Sequence, residues 1–287
     1  MRITGKTRLA GIMGWPVAHS RSPALHNFWL DELGIDGVYI PLAVRPEQLE
    51  RALRALPALG FRGCNLTLPH KQMALSIVDR VEPLARSIGA MNTVIAAADG
   101  SLEGRNTDVY GFRESLRDSA PGWRPAAAPA VVLGAGGAAR AVVAALIEEG
   151  VTEIRVVNRT AVRAERMAED LAVPASRMTI HPWTARDAAL ADAGLLVNTT
   201  SLGMAGEPDL DIDHSGLPLS AIVVDIVYVP LETALLAAAR RRGHATVDGL
   251  GMLLHQGRPG FEAWFGAPVR VTRELRAAVL TTLAVPR

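Results

Sequence analysis

The chain contains one cysteine, Cys64, in 287 residues. A lone thiol excludes an intramolecular disulfide framework and any zinc or iron–sulfur site built from several cysteines. Within FRGCNLT it reads as a small buried hydrophobe. An excess of one charge is also missing. Thirty basic against 29 acidic side chains leave a formal net charge of +1, which supplies no broad field for nucleic acid or an acidic membrane surface. Aromatic residues make up only 5%, and the tryptophans, at 15, 29, 123, 183 and 264, are too scattered for a base-stacking platform. MRITGKTRLAGIMG has no sustained apolar run, so no signal peptide is expected there. The run AAAPAVVLGAGGAARAVVAALI, 126–147, could cross a membrane by length alone, but Pro129, its glycines and Arg140 make it a strand, a turn and a helix. A compact small-molecule ligand is expected, with neither nucleic acid nor membrane as partner, in a soluble protein expected in the cytoplasm. The sequence leaves its oligomeric state open, a homodimer included.

The composition, 49% hydrophobic and 21% charged, belongs to a globular chain large enough for two cores. From residue 130 apolar strands (AVVLG, EIRVVN, GLLVNTT, AIVVDIVY, HATVDG) alternate with helical patterns (ARAVVAALIEEG, TAVRAERMAEDLA, LETALLAAARRRG). This alternation predicts a parallel sheet covered by helices. The first 110 residues mix strands RLAGIMG, GVYIPLA, RGCNLTL and NTVIAA with helices PALHNFWLDELG and PEQLERALRALPALG. DSAPGWRPAAAP, 118–129, is the linker candidate, and the tail after Gly251 is helical again. The expected architecture is α/β: a first α/β domain over 1–112 and a Rossmann-like domain with a parallel sheet over 113–250.

VVLGAGGAARA places Gly134, Gly136 and Ala139 in G-x-G-x-x-G/A spacing, directly after a predicted strand and opening a predicted helix. Such glycines let backbone N–H groups approach a pyrophosphate at the positive end of the helix. A NAD-selective site would carry Asp or Glu after the second strand. Here VVNRTAVR offers Asn158, Arg159, Thr160 and Arg163 and no carboxylate. Guanidinium groups suit a 2′-phosphate, so NADP is expected over NAD.

Four polar clusters lie outside that unit: HSRSPALHN (19–27), NLTLPHK (65–71), GAMNT (89–93) and GRNTDVYG (104–111). Each falls where a predicted element begins or ends, so that short polar side chains can read a polyhydroxylated ligand. Taken singly, Ser22 could be an N-cap and Lys71 a solvated lysine. Lys71 and Asp108 form the one attractive acid–base pair: a partly buried lysine exchanges a proton near neutrality and a carboxylate orients it. His19, His26, His70, His244 and His255 show no metal-like spacing and read as structural or surface groups, so no metal is expected.

GWPVAHSRSPALHN, NLTLPHK, GAMNT, NTD, GAGGAARA, NRT, NTTSLGM, DIVYVPLET and GLGMLLHQG occur in one order over nearly the whole chain. In this the chain resembles the shikimate dehydrogenases. The resemblance implies NADPH-dependent, reversible reduction of 3-dehydroshikimate to shikimate in the pathway to aromatic amino acids, with Lys71 and Asp108 as the catalytic pair. It assigns Ser20 and Ser22 to the substrate carboxylate and Thr67, Asn92 and Asp108 to ring hydroxyls. Tyr228 and Gln256 reach the substrate from the C-terminal part, which implies that helices of 251–287 complete the 1–112 substrate domain and that the active site lies in the cleft between it and the 113–250 NADP-binding domain; Asn65 is a nearby structural support. For NADP, Gly134, Ala135, Gly136, Gly137 and Ala138 form the pyrophosphate turn, and Asn158, Arg159, Thr160 and Arg163 the adenosine phosphate site. Thr199, Ser201, Met204, Ile226 and Gly249 flank the nicotinamide. NLT in place of the more frequent NVT, and Val109 where relatives often have glycine, are small departures. The competing readings are a quinate or aminoshikimate dehydrogenase and a catalytically idle NADP-binding paralogue.

Overall fold

The computed structural model describes residues 3–283. The chain begins β1 (Arg8–Gly14), α1 (Ser22–Glu32), β2 (Gly37–Ala43), α2 (Leu49–Ala55), β3 (Phe61–Leu66), α3 (His70–Met73), β4 (Arg80–Val81), α4 (Pro83–Ile88), β5 (Thr93–Ala96) and β6 (Leu102–Arg105). It continues with α5 (Asp108–Ser119), β7 (Ala130–Leu133), α6 (Gly137–Glu148), β8 (Ile154–Asn158), α7 (Ala161–Asp170), β9 (Met178–Pro182), β10 (Leu195–Asn198) and β11 (Ile222–Asp225). Last come α8 (Ala234–Arg241), β12 (Ala245–Val247), α9 (Gly249–Phe265) and α10 (Arg273–Leu283). Two compact units result: one from the described residues through Thr107 together with those from Gln256 on, the other from Asp108–His255.

The first unit is a mixed sheet in the order β2-β1-β3-β5-β6-β4. β1 runs parallel to β2 and β3, while β5 is antiparallel to both β3 and β6. Close packing explains two glycines of RLAGIMG: a Cβ on Gly11 would lie 2.6 Å from the Ile40 carbonyl oxygen, and one on Gly14 only 2.3 Å from Thr67 Cγ2. Helix α1 buries Leu25, His26, Trp29 and Leu30 and packs on α10. His26 stacks on Tyr39 with 4.1 Å between ring centroids, among Trp29, Phe261 and Trp264. Beneath the sheet Leu49 and Leu53 of α2 join Met13, Leu66, Met91 and Val94 in one core. The helix expected from PEQLERALRALPALG is shorter in the structure. A 3-10 turn at Pro46–Gln48 leads into α2, which stops at Ala55 because Pro57 cannot continue it.

The second unit is all parallel in the order β12-β11-β10-β7-β8-β9. The chain winds outward from β7 in one direction and returns to β10 on its other side, so a topological switch point lies between β7 and β10. AVVL, LLVN and IVVD are buried at every position, the continuous apolar pattern of a sheet covered on both faces. Strand β9, MTIHP, is unanticipated; its alternating, half-exposed pattern marks an edge.

One organisational expectation changes. Asp118 and Ser119, placed in the linker, complete α5, whose Val109, Phe112 and Leu116 are buried at helical spacing. Arg113 and Arg117 of α5 pair with Glu148 and Glu149 at the end of α6, at 2.8 and 2.7 Å. Those contacts put α5 in the second unit, so the boundaries fall at Thr107/Asp108 and, inside α9, at His255/Gln256.

Candidate functional site

In the first unit the substrate candidates gather at the carboxyl ends of β1 and β3. The chain leaves β1 at Gly14 and reaches Ser20 and Ser22 just as α1 begins. Arg21, not Ser22, is the N-cap, and Ser22 occupies the first turn beside Pro23 with no acidic residue there. That turn favours an anion. Ser22 N donates to Ser20 Oγ at 3.3 Å, which leaves the Ser20 hydroxyl proton available. Ser22 itself hydrogen-bonds the buried Tyr39 hydroxyl, whose pKa is pushed up, chiefly by burial.

A chain of buried amides and hydroxyls extends inward. Tyr39 OH donates to Asn65 Oδ1 at 2.6 Å, and Asn65 Nδ2 donates to Asn92 O at 3.0 Å and Thr93 Oγ1 at 3.1 Å. Asn92, only 1% exposed, accepts through Oδ1 from Thr107 N at 2.8 Å and Thr107 Oγ1 at 3.1 Å, and donates to Gln256 Oε1 at 2.9 Å. Asn92 and Gln256 thus share one network, and Asn65 braces it from Tyr39 to Thr93. Thr67 N is held by Met13 O at 3.0 Å. Lys71 follows in α3, half-buried, with its carbonyl accepting from Met91 N at 2.9 Å. The neighbouring His70 anchors that short helix: its Nε2 lies 2.8 Å from Val44 O, and burial lowers its pKa. The backbone at Lys71 and the residue preceding Asp108 are therefore tied to consecutive residues, Met91 and Asn92. Of the two histidines of HSRSPALHN, His19 is exposed and His26 lies in the aromatic core beside Asn65.

In the second unit Asp108 is buried at the start of α5 and Tyr228 half-buried beyond β11. Gly134 follows β7 with φ at +108°, and a Cβ there would meet Thr199 Oγ1 at 2.8 Å. Only glycine suits such a position. Gly136 and Gly137 face open space, Ala139 packs α6 on the sheet, and the first turn of α6 has neither a side-chain cap nor an acidic residue. Its leading amides remain for an anion. Asn158 Nδ2 shapes the next turn by donating to Thr160 O at 2.8 Å, and Arg159 and Arg163 are exposed with no carboxylate between 158 and 164. These features fit a dinucleotide bearing a 2′-phosphate. Thr199 Oγ1 donates to Leu133 O at 2.6 Å, and Gly249 abuts Ile226, where a Cβ would fall 2.1 Å from the carbonyl oxygen. Ser201 and Met204 are exposed on the following loop.

Several residues of these networks escaped sequence reasoning: Tyr39, Asn198, Asp225 and Thr233. Asn198 and Asp225 did leave a signal, being polar at the ends of otherwise apolar strands, LLVN and IVVD. Burial pushes the Asp225 carboxyl up to about 6, opposed by hydrogen bonds from Thr233, Val227 and Asn198. Cys64 is buried and free, its thiol pushed up by desolvation. Among the described residues no three His, Cys, Asp or Glu side chains gather as a metal site, and no helix is long and apolar enough to cross a membrane.

A glycine turn on a doubly wound parallel sheet, with arginines and no carboxylate after the second strand, defines a dinucleotide-binding α/β fold. Residues 12–94 match the model of the shikimate dehydrogenase substrate binding domain, and 122–204 that of shikimate / quinate 5-dehydrogenase. The chain belongs to the shikimate dehydrogenase family. It is 60% identical over 282 residues to the shikimate dehydrogenase (NADP(+)) of Rhodospirillum rubrum, covering 97% of this chain and 99% of that one. Identity to the enzyme of the same name from Paramagnetospirillum magneticum is 58% over 279 residues, 97% and 100% of the two chains. The solved shikimate 5-dehydrogenase of Thermus thermophilus, in complex with NADP(H) and shikimate, superposes with a TM-score of 0.83 at 38% identity, covering 96% and 99%.

Proposed function

We propose that the protein interconverts 3-dehydroshikimate and shikimate with NADP as its cofactor, and that Lys71 and Asp108 manage the proton. The observation that carries the pair is the common anchorage on Met91 and Asn92: the Lys71 carbonyl accepts from Met91 N, and Thr107, the residue before Asp108, donates twice to Asn92. Lys71 donates its proton to the carbonyl oxygen in reduction and takes it from the hydroxyl in oxidation, while Asp108 orients both. NADPH, when bound, supplies the hydride to the carbonyl carbon. Gly134 to Ala138 and the first turn of α6 hold the pyrophosphate, and Arg159 and Arg163 hold the 2′-phosphate. In this reading the unit built through Thr107 and from Gln256 on serves the substrate, and Asp108–His255 serves the cofactor. The cytoplasm is the compartment, and the assembly, a homodimer or a monomer, is open to sedimentation measurement.

Activity measured with shikimate and quinate, each with NADP and NAD, tests the reading. Turnover is expected to be fastest with shikimate and NADP at equal, subsaturating concentrations. Faster turnover with quinate would move the protein to its sister activity, and cofactor binding without turnover of either polyol would make it an idle paralogue. Ser20 and Ser22 carry a second expectation. Each hydroxyl bond to a carboxylate contributes about 1.5 to 3 kcal/mol. Replacing both serines by alanine should raise KM for shikimate at least ~100-fold with kcat nearly kept. A fall in kcat at unchanged KM would instead give the serines a chemical role.

A further inference from the structure

Two loops leave the carboxyl ends of β10 and β11, and each strand ends on a fully buried polar residue, Asn198 and Asp225. Asn198 Nδ2 donates to Asp225 Oδ1 at 3.0 Å and to Leu202 O at 3.1 Å. Its Oδ1 accepts from Thr200 N at 3.0 Å and Thr200 Oγ1 at 2.7 Å. Asp225 Oδ1 accepts a second bond from Val227 N at 3.0 Å, and Oδ2 accepts from Thr233 Oγ1 at 2.7 Å. Thr233 in turn caps α8 by accepting from Leu236 N at 3.3 Å. The carboxylate can only accept, so Asn198 must present its nitrogen to Asp225 and its oxygen to Thr200. This single polarity fixes the first turn of one loop and the exit of the other. A backbone bond from Ile226 N to Asn198 O, 3.1 Å, ties the two together.

We infer that Asp225, acting through Asn198, is a positioning residue for the nicotinamide end of the cofactor. It sets the loops that carry Thr199, Ser201, Met204 and Ile226, and the inference rests on the reading of those four as nicotinamide neighbours. The pyrophosphate turn and the 2′-phosphate arginines are held by separate bonds, Gly134 N to Val157 O at 2.8 Å and Asn158 to Thr160. Thr199 also touches the pyrophosphate turn, its Oγ1 donating to Leu133 O at 2.6 Å, so it is the 2′-phosphate end, after β8, that is positioned apart from the β10 and β11 loops. A carboxylate buried this completely is tolerated because both of its oxygens are engaged, Oδ1 by two donors and Oδ2 by one.

The test compares Asp225→Ser and Asp225→Asn in the full chain. It follows kcat, KM for NADP, thermal stability and the inhibition constant of 2′-phospho-ADP-ribose, which has both phosphate regions of NADP and no nicotinamide. Asp225→Ser should lower kcat about tenfold or more and raise KM for NADP, because misplacement by a fraction of an ångström is costly in a near-attack geometry. The inhibition constant should stay within about twofold, since the adenosine end is untouched. Asp225→Asn keeps one oxygen for Asn198 and Val227 and should restore kcat to within about threefold of the native value. If Asp225→Ser does not fold, Asn198→Ala cuts the same tie from the other side and carries the same expectation. An unchanged kcat in the serine variant, or a parallel loss of affinity for the truncated cofactor, overturns the inference. Arg159→Ala separates the two levels: if it leaves 2′-phospho-ADP-ribose binding unchanged, the cofactor reading itself fails, whatever Asp225 does.

Discussion

Replacing Lys71 by alanine is expected to lower kcat for shikimate oxidation by about a hundred- to ten-thousand-fold, the range that positioned acid–base groups contribute. KM for shikimate should move far less, because the ammonium acts mainly where charge develops on the reacting oxygen. Lys71→Met, which keeps most of the apolar stem, should behave like alanine. The half-buried setting of Lys71 in α3 makes lost packing a small part of the effect. Since the carbonyl of residue 71 holds Met91 N through the backbone, neither substitution removes that anchor. Steady-state kinetics with NADP saturating decide the matter: an unchanged kcat sinks the catalytic assignment, and a large KM effect alone turns Lys71 into a binding group.

The second large effect concerns stability in acid. His26 is fully buried between Tyr39, Trp29, Phe261 and Trp264, and burial drives its pKa down to about 3, with Asn65 only partly opposing. The folded state refuses a proton that the unfolded chain takes up below its ordinary value near 6.5. More protons are then bound by the unfolded chain, so stability is complete above that value and falls as pH drops toward 3, by about 1.4 kcal/mol per unit. Between pH 6.5 and 4.5 the loss is about 2 kcal/mol, a sizeable share of the margin of an ordinary domain. Asp225 works in the opposite sense: its raised folded pKa means that stability from this group increases as pH falls through about 6. His26→Leu should therefore flatten the acid limb of denaturant-measured stability, and Asp225→Asn should steepen it. An acid limb identical in native protein and His26→Leu would show that His26 is not what limits it.

The strands β1, β2, β3, β5, β7, β8, β10, β11 and β12 were legible as apolar runs, and β1 and β2 begin and end where the pattern places them; β4 and β6, two and four residues long, were not, for RV and LEGR carry no apolar run. The glycine turn was legible for a local reason: Gly134 needs a backbone angle that other residues avoid, and α6 must begin directly after it. α5 was not. Its buried stripe, Val109, Phe112 and Leu116, is short and interleaved with charged residues, and its first residues look like a polar cluster. Strand β9 was hidden because an edge strand needs apolar residues on one face only.

Taken alone, the sequence determined the family, the α/β class, the glycine turn and the residue types available for chemistry, since each is carried by short contiguous motifs. Only the tertiary structure decided which of those motifs meet. Asn92 and Gln256 are far apart in the chain and joined by a 2.9 Å hydrogen bond. Tyr39, an ordinary strand residue by pattern, becomes the link between Ser22 and Asn65. Asp225 becomes the keystone of two loops because strands β10 and β11 lie side by side in register, Asn198 opposite Asp225. The physical reason is that hydrogen-bond partners of a buried polar group are chosen by strand order and register, which follow from packing the whole core. HSRSPALHN illustrates the division: its helix start and its polar serines are local properties, whereas the removal of His26 into an aromatic core is decided by Tyr39, Phe261 and Trp264 arriving from elsewhere in the chain.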